Sequence, residues 1–307
     1  MSQHKILVLS DLHMDQWEAR TESHAIKRVL SFVPDEFRKP ALIISAGDLA
    51  HTRPFGWDFG IREIKESFPK KTPLILIPGN HDYYHGELDD EPLRMATLRY
   101  NSIFGQKHET HVGATRILTC TLWSDMLLFG DENVIETARI VQRSLNDYAV
   151  IKKPGTYIPI SVEDTVRIHE DHVAWLRERL EAYHDGPTMV VSHHGPHPEA
   201  SLPVDQISAG FVSDLTYLIE EHQPDMWVFG HTHRPQTAKL GKTIIHNVGV
   251  GYPHEVGIGP EHLTRSLRRG CIEVGDEIRL TMDDEDMRNI RIVNREHEEE
   301  IRPYDNI

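Results

Sequence analysis

Five short apolar runs in this chain each end in a knot of polar residues of the metal-binding kind. Run 6–9 empties into Asp11-Leu12-His13, run 41–45 into Gly47-Asp48, and run 74–77 into Pro78-Gly79-Asn80-His81-Asp82. Run 188–192 ends at His193-His194-Gly195-Pro196, and run 226–229 at Gly230-His231-Thr232-His233. Short apolar runs bounded by Gly, Pro or Asp predict buried strands, and 116–121 and 243–248 read the same way. Helical patterns lie between them. Over 163–183, Val166, Val173, Leu176 and Leu180 share one face, and 212–222 carries Leu215, Leu218 and Ile219. Strand and helix in alternation predict an α/β fold with a parallel or mixed sheet. In open α/β sheets the ligand crevice lies beyond the carboxyl ends of the strands. Five such ends would gather three Asp, five or six His and one Asn into one crevice.

Each motif alone has an ordinary explanation: a histidine beside a strand is commonly a hydrogen-bonded core residue, and G-H-T-H can be a turn. In this order and at these strand ends, together they call for a common chemistry. Asp and His are oxygen and nitrogen ligands suited to Mn, Fe, Zn or Ni, whereas an all-oxygen set would suit Mg or Ca. The glycines before Asp48, Asn80 and His231 are expected to let the backbone turn tightly toward a shared site. Seven ligands exceed one tetrahedral zinc. They fit two metals about 3.5–4 Å apart that share a carboxylate.

The set D-x-H, G-D, G-N-H-D, H and G-H-x-H spans residues 11 to 233 and resembles the calcineurin-like metallophosphoesterase superfamily, in its bacterial phosphodiesterase-like branch. The resemblance implies a four-layer α/β/β/α sandwich with two mixed β-sheets and a two-metal site between them. Carried over by position, Asp11, His13 and His233 bind one ion, Asn80, His193 and His231 the other, and Asp48 bridges both. The ions implied are two divalent metals, Mn2+, Fe2+/3+ or Zn2+. A hydroxide held between them, its pKa lowered from ~15.7 towards ~7, would attack phosphorus in line. His81 then serves as general acid or transition-state stabiliser, and Asp82 is expected to orient its ring. Asn80, His81, His194 and Arg234 are the expected substrate contacts.

One departure bears on substrate. Ser/Thr protein phosphatases of this superfamily carry an acid and an arginine just after G-D, and then G-N-H-E. Here the stretch reads Gly47-Asp48-Leu49-Ala50-His51-Thr52-Arg53, followed by G-N-H-D. The reading is therefore metal-dependent hydrolysis of phosphate esters with diesters favoured. A phosphomonoesterase (including a protein phosphatase) and a nuclease are the enzymatic alternatives. A non-catalytic metal-binding scaffold should show a broken ligand, and all seven positions are filled.

Other residues could shape the site. His51 and Arg53 follow Asp48, and Tyr83 or Tyr84 could stack on a base or pack in the core. Asn146-Asp147-Tyr148 could reach over the metals or form a surface turn, Trp123 reads as core, and Arg265, Arg268 and Arg269 form a compact basic cluster. Residues 1–275 are read as the catalytic domain with an insertion or cap at about 83–165. Residues 276–307 are read as a charged C-terminal extension with Glu298-Glu299-Glu300 near its end.

A formal net charge of −15 disfavours extended nucleic acid and anionic membranes, leaving a small phosphorylated or nucleotide substrate. Two distant cysteines, Cys120 and Cys271, exclude a disulfide framework and suit a reducing compartment. Run 6–9 is shorter than the ~7–15 apolar residues of a signal peptide, and no run reaches the ~18 of a membrane span. A cytoplasmic location is expected, and the oligomeric state is left open.

Overall fold

In the computed structural model, which describes residues 3–20, 25–51, 56–256 and 259–293, the apolar runs become strands of two mixed sheets. In chain order they are β1 (His4–Leu9), β2 (Leu42–Ala46), β3 (Leu74–Ile77), β4 (Ile103–Phe104), β5 (His108–Val112), β6 (Thr115–Cys120) and β7 (Thr188–Ser192). There follow β8 (Met226–Phe229), β9 (Thr237–Leu240), β10 (Thr243–Asn247), β11 (Cys271–Val274), β12 (Ile278–Leu280) and β13 (Arg291–Ile292). One sheet has the order β12-β11-β1-β2-β3-β4, and the other β13-β9-β10-β8-β7-β6-β5. Strands β1 to β4 run parallel, as do β6, β7, β8 and β10. Parallel pairing is what sends their carboxyl ends to one edge of each sheet.

Side chains alternate across a strand, and here both faces are apolar. Ile6, Val8, Ile44, Ile75 and Ile77 of the first sheet meet Ile117, Met189, Val191, Met226 and Val228 of the second. Leu7, Leu9 and Ile43 point the other way, towards Trp17, Ile26, Leu30 and Ile61 on helices. The outer face of the second sheet, with Leu118, Val190, Trp227 and Phe229, packs on Leu176, Leu218 and Ile219. The result is helix, sheet, sheet, helix: the four-layer sandwich expected from the motifs.

The long helix is Val162–Glu181, started by a Ser161/Asp164 capping box. The second predicted helix begins later than its apolar pattern, at Thr216. Val212 is instead paired in parallel with Gly195 beneath the loop after β7, and that pairing overrides helix propensity. Residues 83–165 do not form one insertion. Strands β4, β5 and β6 within that stretch belong to the two sheets, and β6 lies next to β7. The pattern was obscured because β4 is two residues long and β5, His-Glu-Thr-His-Val, is a polar edge strand. Two parts of the stretch lie outside the sheets: about 84–102 with the helix Glu91–Arg99, and about 121–161 with helices Val134–Ser144 and Asp147–Val150.

The C-terminal extension also joins the fold, since β12 borders one sheet and β13 the other. Glu298-Glu299-Glu300 lies outside the described residues, as do Thr52 and Arg53. Cys120 and Cys271 are both free and buried. Among the described residues no helix is long and apolar enough to cross a membrane.

The contact between sheets carries much of the stability. Ile44, fully buried there, should cost about 3 kcal/mol when cut to alanine. Urea denaturation should show the loss as a lower midpoint with an unchanged m-value; a loss below about 1 kcal/mol would place the stabilising core elsewhere.

Candidate metal centre

At the carboxyl ends of the strands the chain turns sharply on the predicted ligands themselves. Asp11, His13, Asp48, His231 and His233 have φ of 56°, 38°, 52°, 65° and 50°. Non-glycine residues seldom adopt this left-handed region, and each instance costs of order 1–3 kcal/mol. The glycines before Asn80 and His231 serve a different purpose from the one expected of them. A Cβ on Gly79 would lie 2.2 Å from Asp48 Oδ1, and one on Gly230 would lie 2.0 Å from Ser10 Oγ. Close approach of neighbouring turns, rather than a positive φ, requires glycine at both.

Backbone hydrogen bonds stitch these turns together. His13 N–H donates to the Asp48 carbonyl at 2.9 Å, Gly230 N–H to the His193 carbonyl at 3.1 Å, and His231 N–H to Asp11 Oδ2 at 2.9 Å. Two overlapping donor groups result, Asp11, His13, Asp48 and His233 in one, and Asp48, His193 and His231 in the other. Within each group the donor atoms lie within 4.8 Å of one another. Asp48 belongs to both: Oδ2 is 3.6 Å from His13 Nε2, and Oδ1 is 3.4 Å from His193 Nε2. Asn80 completes the second group, its Oδ1 being 3.1 Å from His193 Nε2.

Surrounding groups aim these donors. His193 Nδ1 donates to the Ala46 carbonyl at 2.9 Å, which leaves Nε2 with its lone pair towards the site. Asn80 Nδ2 donates to Asp147 Oδ1 at 2.6 Å, so the amide oxygen must face inwards. His233 Nδ1 donates to Glu255 Oε2 at 2.7 Å, directing Nε2 towards Asp11 Oδ1 at 3.4 Å. Tyr252 stacks on His13 with ring centroids 4.3 Å apart. Glu255 and Tyr252 escaped sequence reasoning because they follow the end of the strand predicted over 243–248. Both lie several residues past that end rather than directly after it.

The residues present fit cations. Burial pushes the Asp48 carboxyl well above the usual carboxylate range, and the neighbouring carboxylates of Asp11 and Asp82 add to the push. Burial, followed by the His194 and His193 rings, holds His231 well below the ordinary imidazole value, so it is a neutral ligand type. Neither buried ring nitrogen of His231 has a hydrogen-bond partner among the described residues. Lone pairs facing lone pairs, with acids crowded in a buried pocket, are costly unless positive charge lies between them. Burial works to lower the His233 pKa, but Asp11 and Glu255 together raise it to about 9. A proton there answers the same demand for positive charge.

Asp82 does not hold the His81 ring. Its carboxylate accepts backbone N–H groups from Gly79 at 2.7 Å, Asp48 at 2.9 Å, Leu49 at 3.0 Å and Ala50 at 3.2 Å. It therefore clasps the turn after β2 to the turn after β3. The His81 ring meets His51 instead, Nδ1 to Nε2 at 2.9 Å.

His194 is also corrected as a substrate contact. It is fully buried, with its ring 4.3 Å from that of His231, so it backs a candidate ligand and meets no solute. Arg234 does border a cleft of about 270 Å3 that opens on Asp48, Asn80, His81, His231 and His233. Asn146, Asp147 and Tyr84 line the same cleft. Tyr83 and Trp123 are core residues. The arginine cluster is committed elsewhere: Arg265 to Asp286, Arg268 to Glu36, and buried Arg269 to the carbonyls of Asn247 and Gln236.

Two mixed sheets that gather Asp, Asn and His donors at their strand ends make the frame of a metallohydrolase. The chain belongs to the calcineurin-like phosphoesterase family, whose profile matches residues 4–235. It is similar to uncharacterized protein L509 of Acanthamoeba polyphaga mimivirus, 24% identical over 278 residues, covering 80% of this chain and 91% of that one. Among solved structures it is similar to phosphopantetheinyl hydrolase from Mycobacterium tuberculosis, with a TM-score of 0.63 at 18% identity. That match covers 82% of this chain and 90% of the other, and it is a likeness of fold.

Replacing Asp82 by Asn would set an amide NH2 against backbone donors. Asp82→Asn should destabilise the fold by about 3 kcal/mol and lower metal content as the turns relax, as read by thermal denaturation and elemental analysis. Unchanged stability with a loss confined to poor leaving groups would return Asp82 to the role of ring partner for His81.

Proposed function

We propose that this chain is a dinuclear-metal-dependent phosphoesterase acting on small phosphodiesters in preference to phosphoproteins. The observation that carries the proposal is Asp48, one carboxylate facing both donor groups. Asp11, His13, Asp48 and His233 would hold one ion. Asp48, Asn80, His193 and His231 would hold the other. Their oxygen and nitrogen donors suit Mn, Fe or Zn. When bound, such ions activate water as a nucleophile and neutralise charge on the phosphate oxygens.

The chain's own residues do the rest. His81 stands at the mouth of the site, its Nε2 4.0 Å from Asp48 Oδ2 and 3.4 Å from the Tyr252 hydroxyl. From there Nε2 would reach a leaving ester oxygen and hand it a proton as the alcohol departs. Arg234 lines the cleft, tied to the Ser201 carbonyl at 2.8 Å, and would take a phosphate oxygen. A cleft of about 270 Å3 has room for one phosphate and a small substituent. Together with the missing acid after Gly47-Asp48, this favours a compact diester over a phosphoprotein.

With Mn2+ supplied, bis-p-nitrophenyl phosphate should turn over faster than p-nitrophenyl phosphate, and chelator should stop both. A preference for the monoester would overturn the diester assignment, and turnover insensitive to chelator would overturn the metal. Asp48→Asn should abolish turnover and reduce bound metal, since both donor groups use that carboxylate. Full activity with two ions still bound would sink the dinuclear reading.

A further inference from the structure

We infer that His51, backed by Asp15, is the positioning residue that fixes the His81 ring with Nε2 towards the leaving oxygen. The inference rests on the phosphoesterase reading. Three separate segments build the arrangement. Asp15 lies in the helix Met14–Arg20, His51 follows β2, and His81 follows β3.

Asp15 is buried, and its Oδ1 accepts the His51 backbone N–H at 3.4 Å while its Oδ2 lies 3.6 Å from His51 Nδ1. A carboxylate beside Nδ1 favours the tautomer with hydrogen on that nitrogen. His51 Nε2 is then the acceptor, and the nitrogen it meets at 2.9 Å, His81 Nδ1, is the donor. That leaves His81 Nε2 for the cleft, where it faces Asp48 Oδ2 and the Tyr252 hydroxyl. The face of the ring is also covered, since Tyr84 stacks on it with centroids 4.1 Å apart and planes 20° from parallel.

What needs holding is rotation about χ2. The His81 main chain is already tied down, its N–H donating to Asp48 Oδ1 at 2.9 Å. The ring itself has a broad, two-fold torsion, and a half-turn would exchange Nδ1 with a carbon and move Nε2 off the ester. The bond to His51 removes that freedom. The reaction then balances simply. Water forms the new P–O bond and gives up a proton to the Nε2 lone pair, and Nε2 passes that proton to the departing oxygen as the P–O bond to the alcohol breaks, leaving the ring neutral again.

The test uses the full chain with His51→Ala and His51→Gln, the latter keeping an acceptor oxygen within reach of Nδ1–H. On Mn2+-loaded protein, a dialkyl phosphate is compared with bis-p-nitrophenyl phosphate, whose leaving group needs no proton. His51→Ala should lose about tenfold or more in the ratio of alkyl to nitrophenyl turnover, within the range of general-acid effects. His51→Gln should recover most of it, and bound metal should be equal in all three proteins. Equal losses on both esters, or lost metal, would overturn the inference.

A second readout needs no activity. In the metal-free wild type, nitrogen-15 NMR of the histidines should find His81 protonated at Nδ1, with the tautomers mixed in His51→Ala. A neutral His81 protonated at Nε2 in the wild type would overturn the inference even if the enzyme works. Absence of metal-dependent turnover by the wild type would instead overturn the phosphoesterase reading, and the inference with it.

Discussion

Asp48 ties the site to the fold. Its backbone N–H is held by Asp82, its carbonyl takes the N–H of His13, and its carboxylate lies between the rings of His13 and His193. To do this it adopts a φ of 52°, a conformation that costs energy unless surroundings over-determine it. The surroundings are two strand-end loops clasped by one buried carboxylate and two sheets packed face to face behind them. Without that clasp the ends of β2 and β3 would have no reason to hold a shared acid between them.

The price of this arrangement is electrostatic as well as conformational. Asp11, Asp48, Asp82 and Asp147 are all buried within or beside the site. Asp82 is satisfied by backbone donors and Asp147 by Asn80, whereas Asp48, beyond the His81 N–H that it accepts, faces the unprotonated Nε2 of His193, and Asp11 draws a proton onto His233. The fold tolerates this because two packed cores and a third between the sheets provide ample apolar burial. Cations are what the donors require, and the same cations supply the chemistry of phosphate ester hydrolysis. Strain, burial and function thus have one cause, the concentration of ligands at the ends of rigid strands.

Much of the candidate site was legible because each candidate ligand follows an apolar run, so chain order alone marks Asp11, His13, Asp48, Asn80, His193, His231 and His233 as residues to be brought together. The roles of Asp82, His51 and His194 were not legible in the same way. Asp82 and His81 are neighbours in sequence, which suggested a pair. The turn instead sends one side chain under the backbone of Ala50 and the other out to His51. Glu255 supports His233 from a short helix that no pattern connects to it. Strands β4 and β5 went unrecognised because an edge strand needs little apolar alternation.

The sequence by itself determined the sheet-forming runs, their common class of polar terminus and the family chemistry those residues imply, since periodicity and residue type are local properties of the chain. Only the tertiary structure decided which atoms meet. Asp82 became a backbone clasp, Asp15 and His51 came to stand behind His81, and His194 was sealed behind His231. Contacts between segments depend on strand register and on the left-handed turns at the strand ends, and neither is written in any one stretch of residues.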